Sequence, residues 1–259
     1  MDDSIEIFSR LLDLQTRGQS FCLATVIVSN VQNVAVGRKL IVFPDGTTEG
    51  SVGSARTDAS LQSLALQSLK EKKKRTVVLE DSMQAFLDIF TADLQLLVCG
   101  AGHIAMPLVR FAREVGFRVT VLDDRSDFAH SSRFPGCQVM TEDFTTALRK
   151  MPLGPSTFVV VITRGHEHDT ECLQAILPKE TAYVGLIGSR RRIHFVLEML
   201  SRKGISHQRL DEVFTPIGLP LGSESPEEIA LAIMAELVCI RRKGVRLARA
   251  MRAASGGEK

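Results

Sequence analysis

LLVCGAGHIAMPLVR, residues 96–110, begins as an apolar run, breaks on Gly-Ala-Gly and continues with the residue spacing of a helix. Within it, Gly100, Gly102 and Ala105 form a G-x-G-x-x-A pattern between a predicted strand and a predicted helix. In that context the first glycine permits a tight turn, the second lets the backbone approach a diphosphate, and the small third residue allows close helix packing. The stretch therefore predicts a βαβ unit with a phosphate ligand at its turn.

The next predicted strand ends in Asp123, which lies 23 positions after Gly100. There, an acidic side chain can accept hydrogen bonds from the ribose hydroxyls of a dinucleotide. Arg125 is placed to touch an adenosine phosphate, whereas Asp123 would repel a 2′-phosphate, so NAD is preferred over NADP. The alternative is that the glycines only pack a helix against a strand and bind no ligand.

From Leu94 onward, strands alternate with helices, which favours βαβ units on a parallel sheet. The predicted strands are LQLLVC, FRVTVLD, CQVM, STFVVVIT and AYVGLI, and the predicted helices are HIAMPLVRFAREVG, HDTECLQAILP, SRRRIHFVLEMLSRKG and SPEEIALAIMAELVCIRR. The last helix has a clear start, because Ser225 can cap it, Pro226 suits its first position and Glu228 completes a capping box.

The segment before residue 94 has a different pattern. It contains a predicted helix, SIEIFSRLLDLQTRG, then strands FCLATVIV and KLIVFPDG, a glycine-broken strand or loop TTEGSVGSA, a helix DASLQSLALQSLKEKK and a strand RTVVLE. The fold class is therefore α/β, with a small N-terminal α+β domain over residues 1–93 and a Rossmann-like parallel-sheet domain over residues 94–259.

The composition restricts the possible partners and location. The net charge of +2 over 259 residues is too small to indicate nucleic acid, and basic clusters at Lys72–Arg75, Arg190–Arg192 and Arg241–Arg252 are interpreted as solvated helix ends. The longest apolar stretches are strand-sized, and the N-terminus lacks the basic-then-apolar order of a secretory signal. We expect no membrane span and a cytoplasmic protein.

Polar residues follow the predicted strand in VVVITRGHEHD, where Thr163, Arg164, His166, His168 and Asp169 come in succession. Ligands of open parallel sheets gather beyond the carboxyl ends of the strands, so these residues face the same crevice as the glycine turn. Histidine and carboxylate can bind a metal or move a proton. The two histidines lie two apart on a predicted loop, which gives no metal-ligand spacing, and Asp169 has the alternative role of capping the next helix. We predict no metal site.

A second anion site is predicted in YVGLIGSRRRIHF, where Gly188 and Ser189 precede a helix that opens with Arg190. Free backbone N–H groups at a helix start, a hydroxyl and a guanidinium together favour an anion. The alternative is a capped helix whose arginines are simply exposed.

Several long motifs occur together in order, and they resemble one family. They are VCGAGHIAMPLVRFAREVGFRVTVLDDRSDFAHSSRFP, VVVITRGHEHD, AYVGLIGSRRR and TPIGLPLGSESPEEIALAIMAELV, spread over residues 94–243. They look like the XdhC/CoxI family of accessory factors for xanthine dehydrogenase and related molybdenum hydroxylases. The resemblance implies a cofactor-binding chaperone that holds the molybdenum cofactor (molybdopterin) while a partner cysteine desulfurase sulfurates it, and then delivers it to the hydroxylase. A homodimer is compatible with this role.

The N-terminal part resembles the family more loosely. Gly53 stands in the expected glycine-rich turn and Asp58 stands for the expected acid, but Ser54 and Ala55 replace glycines and Arg56 falls where a cysteine belongs. Larger side chains close the space that glycine leaves open for a ligand. These departures leave the function of the segment from Gly53 to Asp58 open.

Two other function classes remain. An NAD-dependent oxidoreductase would need a general acid or base, for which His103, His166 and His168 are the candidates, since Tyr183 is the one tyrosine and no Tyr-x-x-x-Lys pair exists. A nucleotide-sensing regulatory module would bind a dinucleotide without turnover. The resemblance favours the non-catalytic chaperone.

The cysteines indicate whether this chain could itself carry sulfur for the cofactor. Five are scattered without a C-x-x-C pair, so neither a disulfide framework nor a zinc ribbon is predicted. A sulfur carrier needs an exposed cysteine of low pKa. Only Cys137, after a Pro-Gly turn, is expected to reach solvent, since the others lie in apolar strand or helix patterns: Cys22, Cys99, Cys172 and Cys239. We predict no persulfide relay through this chain.

Overall fold

The computed structural model describes residues 3–32, 34–91 and 93–255. The chain divides into two compact units after residue 92, one residue before the boundary expected from the sequence. No helix within those described ranges has both the length and the apolar composition needed to cross a membrane.

The N-terminal unit combines two helices with an antiparallel sheet. Its elements are α1 (Asp3–Thr16), β1 (Phe21–Val28), β2 (Lys39–Val42), β3 (Thr48–Gly50), α2 (Ala55–Glu71), β4 (Arg75–Val78), a 3₁₀ turn (Glu80–Ser82) and β5 (Gln84–Phe90). The strands are ordered β3-β2-β1-β5-β4. Because side chains alternate along a strand, Ala24 of β1 packs in the core with Leu61 of α2, whereas Leu23 packs with Leu14 of α1.

The strand β5 is missing from the sequence analysis, which left QAFLDIF unassigned. It lies between β1 and β4 in the sheet and is hydrogen-bonded to both. Its buried residues Ala85, Leu87 and Ile89 alternate with more exposed ones, which is the period-two pattern of a strand. In the ambiguous segment TTEGSVGSA, only Thr48–Gly50 forms a strand and a loop follows.

The C-terminal unit alternates strands with helices. Its elements are β6 (Gln95–Cys99), α3 (Ala105–Glu114), β7 (Arg118–Asp123), β8 (Gln138–Thr141), α4 (Phe144–Lys150), β9 (Thr157–Val161), α5 (His166–Ile176), β10 (Tyr183–Leu186), α6 (Arg190–Arg202), α7 (His207–Asp211), α8 (Pro226–Lys243) and α9 (Val245–Ser255). All predicted strands of this unit are present. The short helices α4 and α7 and the basic helix α9 were not predicted.

The parallel sheet has the order β10-β9-β6-β7-β8, which is the Rossmann order 3-2-1-4-5 read from the opposite edge. Beyond β10, Phe214 forms a parallel bridge with Gly185 at the place of a sixth strand. The direction of the connections reverses between β6 and β9. Ligands of such sheets bind beside this point, at the carboxyl ends of the strands. The predicted α/β class with a Rossmann-like sheet is confirmed.

Helices cover both faces of this sheet, which explains the unbroken apolar run at residues 96–99. Leu96 and Val98 face the core shared with α3 and α8. Leu97 and Cys99 face the core shared with α5 and α6.

The last two helices confirm one prediction and correct another. Ser225 and Glu228 form the predicted capping box at the start of α8. The basic cluster up to Arg252 is not only a solvated helix end. Arg252 Nη1 lies 2.9 Å from Oε2 of Glu236, whose side chain is fully buried in α8.

Candidate functional site

The predicted site residues of the C-terminal unit gather at the carboxyl edge of its sheet. Gly100 and Gly102 follow β6, Asp123 ends β7, Thr163 follows β9 and Gly188 follows β10. Adjacent strands are about 4.8 Å apart, so the ends of β6 and β10 lie about 10 Å from each other. We call this edge the crevice.

The glycine turn has one position that the fold requires and one that it leaves open. Gly100 has φ +114°, and a Cβ there would lie 2.5 Å from the carbonyl oxygen of Ile162, so another residue would be strained. A Cβ on Gly102 would meet no atom within 4 Å. His103 is exposed on the turn, and α3 begins at the buried Ala105 rather than at His103. The space beside Gly102 is therefore accessible to a ligand.

Asp123 is engaged within the chain. Its Oδ2 accepts hydrogen bonds from the Ala101 N–H at 2.7 Å and from Arg125 Nη2 at 2.9 Å. Its Oδ1 accepts from the Arg125 N–H at 3.1 Å and from Arg125 Nε at 2.8 Å. Burial alone would raise the pKa of Asp123, but these donors hold it below its ordinary value. The Arg125 guanidinium is therefore paired with Asp123, and its contact with an adenosine phosphate stays a prediction.

Two residues that the sequence analysis did not single out support this pair. The guanidinium of Arg125 lies 3.8 Å from the ring centre of Phe128, and that of Arg133 lies 5.1 Å from it. Arg133 Nη1 also donates to the carbonyl of Ala101 in the glycine turn, at 3.0 Å. Phe128 and Arg133 both belong to the family-like motif DDRSDFAHSSRFP, which was the sequence signal that could have identified them.

Thr163, Asp169 and Arg192 form a largely buried network that joins the loop after β9 to the helices α5 and α6. Thr163 Oγ1 donates to Asp169 Oδ1 at 2.6 Å, and Arg192 Nε donates to Asp169 Oδ2 at 2.6 Å. Arg192 Nη2 also donates to the carbonyl of Thr163 at 3.1 Å. Burial raises the pKa of Asp169, against the opposing effect of Thr163 and Arg192. Asp169 does not cap α5, since the N-cap position is Gly165.

Arg164 is paired at the surface of the crevice. Its two terminal nitrogens lie 2.5 and 2.8 Å from the carboxylate oxygens of Asp124. The hydrogen bonds from Arg164 hold the pKa of Asp124 well below its ordinary value. A ligand contact from Arg164 would have to compete with this pair.

His166 and His168 lie in the first turn of α5 and not on a loop. The exposed ring of His166 stands edge-on to Phe195, with the ring centres 5.0 Å apart. His168 Nδ1 lies 3.1 Å from Glu171 Oε2. Residues two apart on a helix point to different sides, and the part of the chain that the structure describes holds no group of three or more residues able to ligate a metal.

A cavity of about 740 Å³ opens beside the end of β10. Gly188, Ser189 and Arg190 line one side of it, and the loop 216–223 with Arg252 lines the other. Ser189 Oγ accepts a hydrogen bond from the Arg192 N–H at 3.3 Å, so it caps α6 as the alternative interpretation held. Arg190 is exposed, and no carboxylate among the described residues pairs with it. The loop 216–223 belongs to the family-like motif TPIGLPLGS, and Arg252 to the C-terminal basic cluster, but neither was predicted to line a ligand site.

In the N-terminal unit, the loop before α2 is fixed by its own hydrogen bonds. Asp58 Oδ2 accepts from Ser51 Oγ at 2.6 Å, and Asp58 Oδ1 accepts from the Val52 N–H at 2.9 Å. Gly53 has φ +113°, which explains the glycine there. Arg56, which stands where the resemblance predicts a cysteine, forms an ion pair with Glu80, with 2.8 Å between its Nη2 and Glu80 Oε1. Asp58 therefore has a structural role in shaping this loop.

Curated proteins and solved structures include relatives of this chain. It is 25% identical to YqeB of Escherichia coli (strain K12) over 253 residues, covering 92% of this chain and 46% of YqeB. It is 32% identical over 150 residues to a protein of Bacillus subtilis (strain 168) described as a probable xanthine dehydrogenase subunit, covering 58% of this chain and 43% of that protein. The chain thus spans less than half the length of these two relatives. A solved structure described as a xanthine dehydrogenase from Bacillus halodurans has a TM-score of 0.55 at 20% identity, covering 95% of this chain and 97% of that one, which shows a shared fold.

Two family models match the sequence. The model of the XdhC Rossmann domain matches residues 96–237, and that of the XdhC and CoxI family matches residues 14–80. The first match alone spans more than half of the chain and coincides with the parallel sheet and its crevice. The chain belongs to the XdhC family.

Proposed function

We propose that this protein is a maturation factor for a molybdenum hydroxylase of the xanthine dehydrogenase type. In this proposal the C-terminal unit holds the molybdenum cofactor as cargo, a separate cysteine desulfurase supplies sulfur, and the loaded protein delivers the cofactor to the apo-hydroxylase. Membership of the XdhC family and the relative described as a xanthine dehydrogenase component support this assignment.

The observation that carries the proposal is an uncompensated guanidinium beside a ligand-sized cavity. Arg190 opens α6 next to the cavity of about 740 Å³, and small-molecule pockets are typically about 300–1,000 Å³. The phosphate of a pterin cofactor is an anion, for which a guanidinium and the N-terminus of a helix are suitable partners. Arg190, Ser189 and Gly188 would hold that phosphate.

The glycine turn provides a second point of approach. Gly102 has open space where a side chain would stand, so a ligand can come close to the backbone there. The network of Asp169, Arg192 and Thr163 ties the loop after β9 to the helices α5 and α6. Rigid loops hold a binding site at lower entropic cost than mobile ones.

The cysteines support a separate sulfur donor. Cys22, Cys99 and Cys172 are buried, and burial raises the pKa of Cys22 to about 12 and that of Cys172 well above its ordinary value. Cys137 and Cys239 are both half-buried, so the expectation that Cys137 alone reaches solvent is wrong. Burial raises the pKa of Cys137 as well. Because the thiolate is the nucleophile, thiols with a raised pKa, as in Cys22, Cys137 and Cys172, are poorly suited to carry a persulfide.

The two other function classes have less support. An oxidoreductase would use a histidine near the nicotinamide. His168 is paired with Glu171 and His166 packs against Phe195, which leaves His103, exposed on the glycine turn, as the remaining candidate of the three. A nucleotide-sensing module would bind a dinucleotide and no molybdopterin. A panel of alcohols and acids with NAD tests the first alternative, and pterin analysis of the purified protein tests the second.

The decisive experiment measures what the protein carries. The full chain is purified from a molybdenum-replete host, and bound pterin is identified by mass spectrometry in wild type, Gly102→Val and Arg190→Ala, with Arg191→Ala as the matched control. We expect molybdopterin in wild type and Arg191→Ala, with less in the other two. Absence of pterin from the wild type, or equal amounts in folded Gly102→Val and Arg190→Ala, would contradict the proposal.

A further inference from the structure

The carboxylate of Asp123 has no lone pair left for a ribose hydroxyl. It accepts four hydrogen bonds, from the Ala101 N–H and from the backbone N–H, Nε and Nη2 of Arg125. An ionised carboxylate offers about four lone-pair sites. The Asp123 side chain is also only 1% exposed, so its acceptors are both occupied and covered.

The group that occupies these acceptors is itself held in place. The Arg125 guanidinium stacks on Phe128 at 3.8 Å, and Arg133 anchors the same segment to the glycine turn by donating to Ala101 and Phe128 carbonyls at 3.0 and 2.8 Å. Withdrawing Arg125 would leave the Asp123 charge buried without its partner, which is strongly unfavourable. An adenosine ribose would have to replace the two hydrogen bonds donated by the Arg125 guanidinium.

We infer that Arg125 determines ligand specificity by excluding adenosine dinucleotides from the crevice. In a dinucleotide-binding Rossmann unit the acid at the end of the second strand receives the ribose hydroxyls; here the chain fills that place with its own guanidinium. The ligand is then restricted to the Gly102 side and the cavity beside Arg190. This inference rests on the crevice being the ligand site of the proposed function, but it is read out by NAD⁺ binding and not by pterin content.

The test is a gain of binding. NAD⁺ and ADP-ribose are titrated calorimetrically into the full chain as wild type, Arg125→Ala and Arg164→Ala. The last variant is the matched control, because it removes a neighbouring guanidinium that pairs with Asp124 and leaves Asp123 saturated. We expect affinity for both probes to rise about tenfold or more in Arg125→Ala alone, the ratio expected for new hydrogen bonds to a charged acceptor.

A double variant assigns the gain to its acceptor. Adding Asp123→Asn to Arg125→Ala should return the affinity to the wild-type value. Circular dichroism checks that each variant folds. If Arg125→Ala does not fold, Arg125→Ser takes its place in the titrations. Tight binding of NAD⁺ by the wild type, no gain in a folded Arg125 variant, or an equal gain in Arg164→Ala would each overturn the inference, while leaving the pterin measurement to judge the proposed function.

Discussion

Arg192 of α6 donates its Nε–H to Oδ2 of Asp169 in α5, at 2.6 Å, and so ties together the two helices that follow β9 and β10. The Asp169 side chain is fully buried, whereas that of Arg192 is 26% exposed. Thr163 completes the network by donating to the other carboxylate oxygen. A largely buried charge pair therefore holds α5 and α6 together beside the crevice.

Removing this pair should destabilise the protein. Arg192→Ala leaves the Asp169 carboxylate buried without its partner, so we expect the free energy of unfolding to fall by about 3–5 kcal/mol. Urea unfolding followed by circular dichroism measures this loss. Arg191→Ala, one residue earlier on the exposed side of α6, should change it by no more than about 0.5 kcal/mol. Similar losses in both variants would show that the pair does not stabilise the fold.

The two glycines of the turn should separate stability from binding. A Cβ on Gly100 would meet the Ile162 carbonyl at 2.5 Å in a backbone with φ +114°, so Gly100→Ala should lower the free energy of unfolding by about 2–5 kcal/mol. Gly102→Ala has open space and should leave it nearly unchanged. Thermal unfolding checks both variants. If Gly102→Ala proves as destabilising as Gly100→Ala, the space at Gly102 is not open.

Arg190 should contribute to anion binding without stabilising the fold. Loss of one charge-assisted contact is worth about 1.5–3 kcal/mol, which is about tenfold or more in affinity. We expect Arg190→Ala to weaken molybdopterin binding by that factor in a direct titration, with an unchanged unfolding transition. The Arg191→Ala variant should bind as the wild type does. Equal affinity in both variants would support the alternative interpretation, in which this segment is a capped helix with exposed arginines and binds no anion.

The pair of Asp123 and Arg125 should make stability depend on pH in the acid range. Burial opposes ionisation of Asp123, yet its donors lower the pKa of this carboxyl below its ordinary value. A lowered folded-state pKa means that the stabilisation is complete above the unfolded pKa of about 3.9 and is lost as the pH falls through the folded value. The difference in unfolding free energy between wild type and Asp123→Asn should therefore shrink below about pH 4.

A series of urea titrations from neutral to acid pH measures this difference. Asp127→Asn, at an exposed position of the same segment, controls for the loss of a charge and should differ from wild type by no more than about 0.5 kcal/mol throughout. A gap for Asp123→Asn that stays constant down to the acid limit would contradict the assignment.

The thiols should be dispensable for sulfuration. Burial raises the pKa of Cys137 and of Cys22, so little thiolate forms near neutral pH. We expect Cys137→Ser to support hydroxylase activation as well as the wild type, and persulfide labelling of the wild type to find no modified cysteine. A labelled cysteine whose replacement abolishes activation would make the protein a covalent participant in sulfur transfer.

Local pattern was sufficient for much of the fold. The alternation of apolar strands and amphipathic helices predicted the parallel sheet, and the spacing of Ser225 and Glu228 predicted the capping box that the structure confirms. These features depend on residues close together in the chain. Strand β5 is also encoded locally, since the apolar residues of QAFLDIF alternate with the period of a strand, although it was not predicted.

The glycine pattern, between a strand and a helix, predicted the position of the crevice, because G-x-G-x-x-A constrains the backbone of its own turn. The sequence alone could not assign the state of each side chain. Asp123 and Arg125 are two residues apart, yet whether the carboxylate faces a ribose or the guanidinium depends on Phe128 and on Arg133, which is tied to Ala101 32 positions earlier. Asp169 likewise looked like a helix cap until α6 brought Arg192 against it. Tertiary contacts decide these partners, because a buried charge takes whichever donor the packed elements bring within hydrogen-bond distance.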